Sequence, residues 1–298
     1  MIRPTTFLRS LRLNQHVGRN ILLACETFQH TGSFKFRAAW HLASNIENDH
    51  LLTASSGNFG QALAMACREM QKRCTVVMPN TSAAVKVQAV REFGGCVDLI
   101  DVRKITREGR IAELAPQNPN AYVANGYNDE LVIAGNSSLG IELAKLNGDI
   151  DLIIAPVGGG GLSAGILTGL REESAPTRLI GAEPLLANDA ARSLRAGQLI
   201  RDPIESETIA DAARSPSLGA RSWEILKDGI EDIIEVPEAE IREAVRLLFY
   251  LANLKVEPTG ALALAALLVD KKRFDGRRLC CVISGGNVDP AVFNSLIA

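Results

Sequence analysis

Along the chain, short apolar and β-branched runs alternate with amphipathic or alanine-rich stretches. The runs at 20–25, 51–54, 75–78, 97–100, 121–123, 152–157, 179–182, 232–236 and 279–284 read as strands. Several are apolar nearly throughout, as strands covered on both faces should be. Between them, 61–70 is rich in helix formers, and 83–93 spaces Val87, Val90 and Phe93 three apart. Pro237-Glu238 opens a further helix with proline and acid in its first turn. Ile241, Ala244, Val245 and Leu248 then recur at helical spacing. The stretch 260–268 is apolar almost all round and is expected to be buried. Strand–helix alternation over the whole length predicts an α/β protein with mainly parallel, doubly wound sheets.

Composition narrows the function classes. The chain has 298 residues, 47% hydrophobic and 22% charged, with net charge −2. It can bury a large core without staples. The near-neutral charge and the absence of a basic block argue against nucleic-acid binding. No apolar run of eighteen residues and no secretory leader is visible, so neither a membrane span nor export is expected. The six cysteines form no C-x-x-C pair and read as reduced small hydrophobes, which fits a cytoplasmic protein.

Four clusters carry candidate chemistry. In 31–37, Lys35 stands between Phe34 and Phe36, with Arg37 beside it. A lysine in partly apolar, cationic surroundings can lose its proton and attack a carbonyl. A lysine snorkelling from a helix start fits the same residues. Ser55-Ser56-Gly57-Asn58-Phe59-Gly60 links a strand to a helix, where backbone N–H groups suit a carboxylate or phosphate. An ordinary serine-capped turn fits these too. Gly158, Gly159, Gly160 and Gly161 follow the strand 152–157 and let the backbone approach an anion closely. A flexible linker fits poorly between that strand and the apolar 162–170. Ser284-Gly285-Gly286-Asn287 ends the last strand.

Three of these clusters sit at carboxyl ends of strands, where ligands bind in open α/β sheets. Gly159-x-Gly161-x-x-Ala164, with Glu183 about 20 residues on, also matches a dinucleotide fingerprint, so a nicotinamide-dependent dehydrogenase is an alternative. It leaves the other clusters unexplained. No Gly-Lys-Ser/Thr follows the glycines, His16, His30, His41 and His50 lack zinc-ligand spacing, and there is no Gly-x-Ser-x-Gly elbow. A lysine, a phosphate cradle, a carboxylate loop and a strand-end serine point to pyridoxal phosphate.

With these residues in hand, the sequence resembles the fold-type II pyridoxal-phosphate enzymes of the tryptophan synthase β-like superfamily, and within them the serine/threonine dehydratase and serine racemase branch. The likeness takes in Glu26, 31–37, 55–61, Met78-Pro79 with Lys86, 133–135, 156–162, 208–211, 257–261 and 284–289. It implies two lobes, a small mobile one at 52–131 inserted into a larger one at 1–51 and 132–298. It implies that Lys35 carries the cofactor and acts as base, that Phe34 packs on the ring, and that Asn58 bonds the ring oxygen. Gly158, Gly159, Gly160, Gly161 and Leu162 would offer N–H groups to the phosphate, and Ser284 would face the pyridine nitrogen. Ser55, Ser56, Gly57, Asn58 and Phe59 would hold the substrate carboxylate, with Ser56 at the position of the opposite-face acid in serine racemases. Glu183, Ala187 through its carbonyl, and Asp189 match the branch's cation site, and oxygen ligands suit Mg²⁺ or Ca²⁺. A surface acidic loop fits those three residues as well.

A hydroxyl opposite the pyridine nitrogen makes the cofactor a weaker electron sink than an aspartate would, which favours rapid loss of a β-leaving group over transamination. The expectation is therefore dehydration and deamination of L-threonine, L-serine or a related β-hydroxy amino acid to a 2-oxo acid and ammonia. A serine racemase-like isomerase is the alternative, and a β-replacement synthase is more distant. The family implies a homodimer. Some substrate-side positions depart from the family pattern: Phe59 replaces histidine, Asn136-Ser137-Ser138 replaces Gln-Gly-Thr, and Ala212 replaces glycine. Asn125-Gly126-Tyr127-Asn128-Asp129 and Ala24 also differ from the usual residues. A non-standard β-substituted amino acid is thus within the expectation. The likeness runs to Asp289, so no C-terminal regulatory domain is expected.

Overall fold

The computed structural model describes residues 1–55 and 57–298. Among them the strands are β1 (Thr6–Leu8), β2 (Ile21–Cys25), β3 (His50–Ala54), β4 (Arg73–Pro79), β5 (Cys96–Ile100), β6 (Ala121–Ala124), β7 (Leu152–Pro156), β8 (Arg178–Pro184), β9 (Asp232–Val236) and β10 (Leu279–Ile283). They form a six-stranded sheet in the order β1-β2-β10-β7-β8-β9 and a four-stranded sheet in the order β5-β4-β3-β6. Every pairing is parallel except β1 on β2. The fold is α/β, as the alternation predicts. The nine expected runs are all strands. β1 is the addition: three residues are too short to show a period, and the strand exists through its antiparallel register on β2, Thr6 opposite Cys25.

The unbroken apolar strands have a simple cause. Side chains alternate across a strand, and the large sheet has a core on each face. In β10, Leu279, Cys281 and Ile283 enter one core, while Cys280 and Val282 enter the other. β2 divides in the same way, with Ile21, Leu23 and Cys25 on one face and Leu22 and Ala24 on the other. Helix Pro258–Val269 lies in the first core, buried almost all round. The cysteines of these strands behave as small hydrophobes, and burial pushes the Cys281 thiol up to about 12. Cys96 differs: it is exposed, at the start of the edge strand β5.

A third core serves the small sheet, and it includes Phe36, Ala39 and Leu42 of helix Lys35–Asn45. That helix starts at the cluster containing Lys35, so the lysine stands where the two sheets meet. Behind it, Arg37 is fully buried and bonds Glu26 at 2.7 Å, Thr5 at 2.8 Å and Glu142 at 2.9 Å. This ties the helix start to the N-terminal segment and to helix Glu130–Ala144. No helix of the described residues is long and apolar enough to cross a membrane.

Candidate active site

The first and fourth clusters fold onto each other. Ser33 bridges Gly285, the Phe34 amide donates to the Ser284 carbonyl at 3.0 Å, and the Gly286 amide donates to the Gly32 carbonyl at 2.9 Å. Gly32 has φ +70°, and a Cβ there would meet Asn287 Oδ1 at 2.5 Å, so both the conformation and the close approach require glycine. The Lys35 ammonium donates to the Gly126 carbonyl at 2.5 Å, 5.1 Å from the Phe34 ring centre and 5.7 Å from that of Phe59. Burial lowers its pKa to about 8. Its place at a helix N-terminus works in the same direction, because the dipole disfavours a cation there.

The second cluster is both a cap and a wall. Ser55 Oγ accepts from the Gly57 amide at 3.1 Å and the Gly60 amide at 3.0 Å, closing the start of helix Asn58–Glu69. The capping reading is therefore real for Ser55. Asn58 Nδ2 donates to Glu257 Oε1 at 2.6 Å, and its Oδ1 accepts from Asn287 at 3.0 Å. Ser56 lies outside the described residues.

The third cluster is a tight cradle. A Cβ on Gly159 would overlap the Tyr127 ring, and one on Gly161 would stand 2.9 Å from Tyr127 Cα. Gly160, at φ +86°, precedes helix Gly161–Glu172, whose first N–H groups have no helical partner. Leu162 follows, packed in the second core.

Two cavities meet at Lys35, Asn58 and Tyr127. One, of about 70 Å³, is walled by Phe34, Gly158, Gly159, Gly160, Gly161, Leu162, Glu257, Thr259 and Ser284. The other, of about 340 Å³, is walled by Ser55, Phe59, Ser82, Arg107, Arg214 and Ser215, among others. Of the predicted cofactor and substrate residues in the described chain, all but Gly57 line one of the two. Gly57 is next to Asn58, with Lys86 packed against it so closely that a Cβ could not be added.

The predicted metal ligands lie apart from these walls, Glu183 near the end of β8 and the other two just after it. Glu183 accepts the Ala191 amide at 2.6 Å and the Ala190 amide at 3.2 Å, from the first turn of helix Asp189–Ala196. Asp189 is buried, with Oδ2 unpartnered among the described residues. Burial and mutual repulsion raise Glu183 well above the usual carboxylate range; burial and Asp202 bring Asp189 to about 7. Ala187 is buried in the turn Leu185–Ala187 between them. No cluster of three or more His, Cys, Asp or Glu side chains suited to a metal occurs among the described residues. A site here has two carboxylates and needs the backbone.

The model of the family described as "Pyridoxal-phosphate dependent enzyme" matches residues 1–285. The chain belongs to that family. Among its relatives, an L-threo-3-hydroxyaspartate ammonia-lyase of Pseudomonas sp is 35% identical over 297 residues, covering 98% of this chain and 92% of the relative. A serine racemase of Arabidopsis thaliana is 34% identical, covering 97% and 89%. A solved threonine deaminase from T.th. superimposes with a TM-score of 0.91 at 38% identity, covering 97% of this chain and 94% of that one. Family membership gives the glycine turn a setting other than the dinucleotide fold. The geometry agrees, because Glu183, the acid a ribose would need, is engaged by the helix start beside it.

Sequence reasoning left several wall residues unassigned. Tyr127 and Thr259 line the small cavity, and Arg107 and Arg214 the large one. Glu257, Lys86 and Asp211 figured only as family landmarks. No local pattern marks them as a set, since they reach the site from several segments far apart in sequence.

Proposed function

We propose that this family member is an ammonia-lyase that removes the β-hydroxyl of a β-hydroxy amino acid, leaving a 2-oxo acid and ammonia. The observation that carries this reading is Lys35, whose amine sits where the two cavities join, its basicity reduced by burial. When bound, pyridoxal phosphate supplies an electron sink that acidifies the α-hydrogen of an amino acid joined to it.

The residues present fit that group. The cradle of Gly158, Gly159, Gly160 and Gly161, with Leu162, excludes Cβ atoms on the inner glycines and presents helix-start N–H groups to a phosphate. Phe34 and Asn58 flank Lys35, and Ser284 lines the small cavity, where its hydroxyl would be a neutral partner for the ring nitrogen. Lys35 Nζ, with a pKa near 8, has an appreciable neutral fraction at physiological pH and can take the α-proton. Substrate carboxylate would bind at the start of helix Asn58–Glu69, whose first N–H groups have no helical partner, and Phe59 lies 5.7 Å from the amine. Arg107 and Arg214 stand in the large cavity wall, where Glu205 pairs with Arg107 and Glu108 and Asp211 also lie, and would favour a substrate whose side chain carries an anion. The name of the Pseudomonas relative points the same way. Outside the cavity, Glu183, the Ala187 carbonyl and Asp189 would hold Mg²⁺ or Ca²⁺, and the unpartnered Asp189 Oδ2 is the atom a cation would satisfy. The same reading makes 52–131 a mobile lobe and the cytoplasmic enzyme a homodimer.

Purified protein should show a visible absorption band that borohydride fixes to the chain, and Lys35→Ala should lose both the fixation and turnover. L- and D-serine, L-threonine and 3-hydroxyaspartate should then be scored for 2-oxo acid and for stereoinversion. A colourless protein would overturn the reading. Stereoinversion without 2-oxo acid would favour the racemase.

A further inference from the structure

Lys86 is a buried ammonium, 3% exposed, with no part in the chemistry described above. It projects from helix Ala84–Glu92, beside the small sheet, and its methylenes lie against Gly57. Its Nζ is 2.6 Å from Asp211 and 3.5 Å from Glu257, both from segments flanking the large sheet. Glu257 is buried, precedes helix Pro258–Val269, and lines the small cavity. It takes the Nδ2 hydrogen of Asn58 on Oε1. Asn58 Oδ1 already accepts from Gln61 and Asn287. One N–H of the Asn58 amide therefore remains for a ligand in the cavity. Rotating the amide by half a turn would set its oxygen against the Glu257 carboxylate and its NH₂ against two donors. That orientation is excluded while Glu257 is ionised.

We propose that Lys86 is a positioning residue: with the half-buried Asp211 and the buried Glu257 it forms a clamp between the two sheets that keeps one N–H of Asn58 turned toward the cofactor. This rests on the reading of Asn58 as a cofactor contact. The charged groups facing Glu257 are Lys86 and Asp211; Asn58 and the Gly285 turn complete its surroundings. A carboxylate so placed is neutral if its cation is removed, since burial favours the protonated form. Its protonated form no longer dictates which way the amide points.

The test uses the holoenzyme and follows cofactor affinity and the visible band against pH. Burial raises Glu257 to about 7 with Lys86 opposing the shift, so wild-type affinity should weaken as pH falls through neutrality. Lys86→Met should move that midpoint upward by about one unit, a tenfold change in proton affinity. Lys86→Arg should bring it back. Glu257→Gln should remove the transition and hold affinity at the low-pH level, because its amide, like the protonated acid, offers a donor and an acceptor at every pH. An unmoved midpoint in folded Lys86→Met, or a transition that survives in Glu257→Gln, overturns the clamp. If Lys86→Met does not fold, Lys86→Arg and Glu257→Gln decide it. A wild-type protein with no visible band would instead sink the cofactor reading, so the two failures are distinguishable.

Discussion

Lys35 illustrates how one side chain is tuned by its immediate neighbours. Two phenyl rings attract its charge weakly, and one carbonyl accepts from it, but lost hydration outweighs both and the amine is less basic than in water. In the cofactor-free protein that shift is a cost to the fold. The unfolded chain holds this proton up to about 10.5 and the folded chain only to about 8, so the penalty is complete below 8 and disappears as pH rises toward 10.5. Lys35→Met should therefore be more stable than wild-type apoprotein at pH 7, by up to about 3 kcal/mol at 1.4 kcal/mol per pKa unit. The gap should shrink between pH 8 and 10.5 in urea titrations. A gap independent of pH would show that burial does not perturb the amine. Gly-Ser-Phe-Lys made this residue visible in sequence, because its local surroundings are part of its chemistry. Tyr127 gave no such sign: its ring matters only because Gly159 folds beneath it.

The glycine cradle depends on the helix behind it. Helix Gly161–Glu172 packs on helix Glu130–Ala144 through a seam of small residues, where Gly140, Gly165 and Gly169 let the backbones touch. Asn136 reaches across to the Gly161 carbonyl at 3.0 Å, joining the seam to the cradle. Helix Glu130–Ala144 was not legible beforehand. Gly135-Asn136-Ser137-Ser138 has poor helix propensity, and tertiary packing overrides it. Gly165→Leu would drive its side chain into Asn136 and part the helices. Overpacking of this kind should cost about 1–3 kcal/mol in thermal unfolding. It should also displace the cradle, so that the purified variant loses its visible band on dialysis. A lowered melting temperature with the cofactor fully retained would mean that the seam serves stability alone.

At the scale of the whole molecule, the strands, their parallel direction and the motifs at their carboxyl ends were legible because each is a local strand-to-helix event. What brings them to one place was not: Lys86 with Asp211, and Arg107 with Glu205, join residues about a hundred or more positions apart. The neighbouring carboxylates Glu183 and Asp189, at the end of β8 and in the helix that follows, connect local geometry to the stability of the entire chain. Glu183 and Asp189 are protonated in the folded, cation-free protein at pH values where the unfolded chain has already released both protons. The native state thus binds more protons between about pH 4 and 7, and stability falls as pH rises through that window, with the penalty complete above the raised folded values. A cation that binds the ionised pair reverses the penalty where it is largest. Adding Mg²⁺ or Ca²⁺ to chelator-treated protein should raise the melting temperature at pH 8, with a gain of about 2.7 kcal/mol at a hundredfold excess over Kd. The gain should vanish by about pH 5, where protons occupy the site. Asp189→Asn should be insensitive to cation and, without it, more stable than wild type at pH 8. A cation response of equal size at both pH values, or one preserved in Asp189→Asn, would place the ion elsewhere.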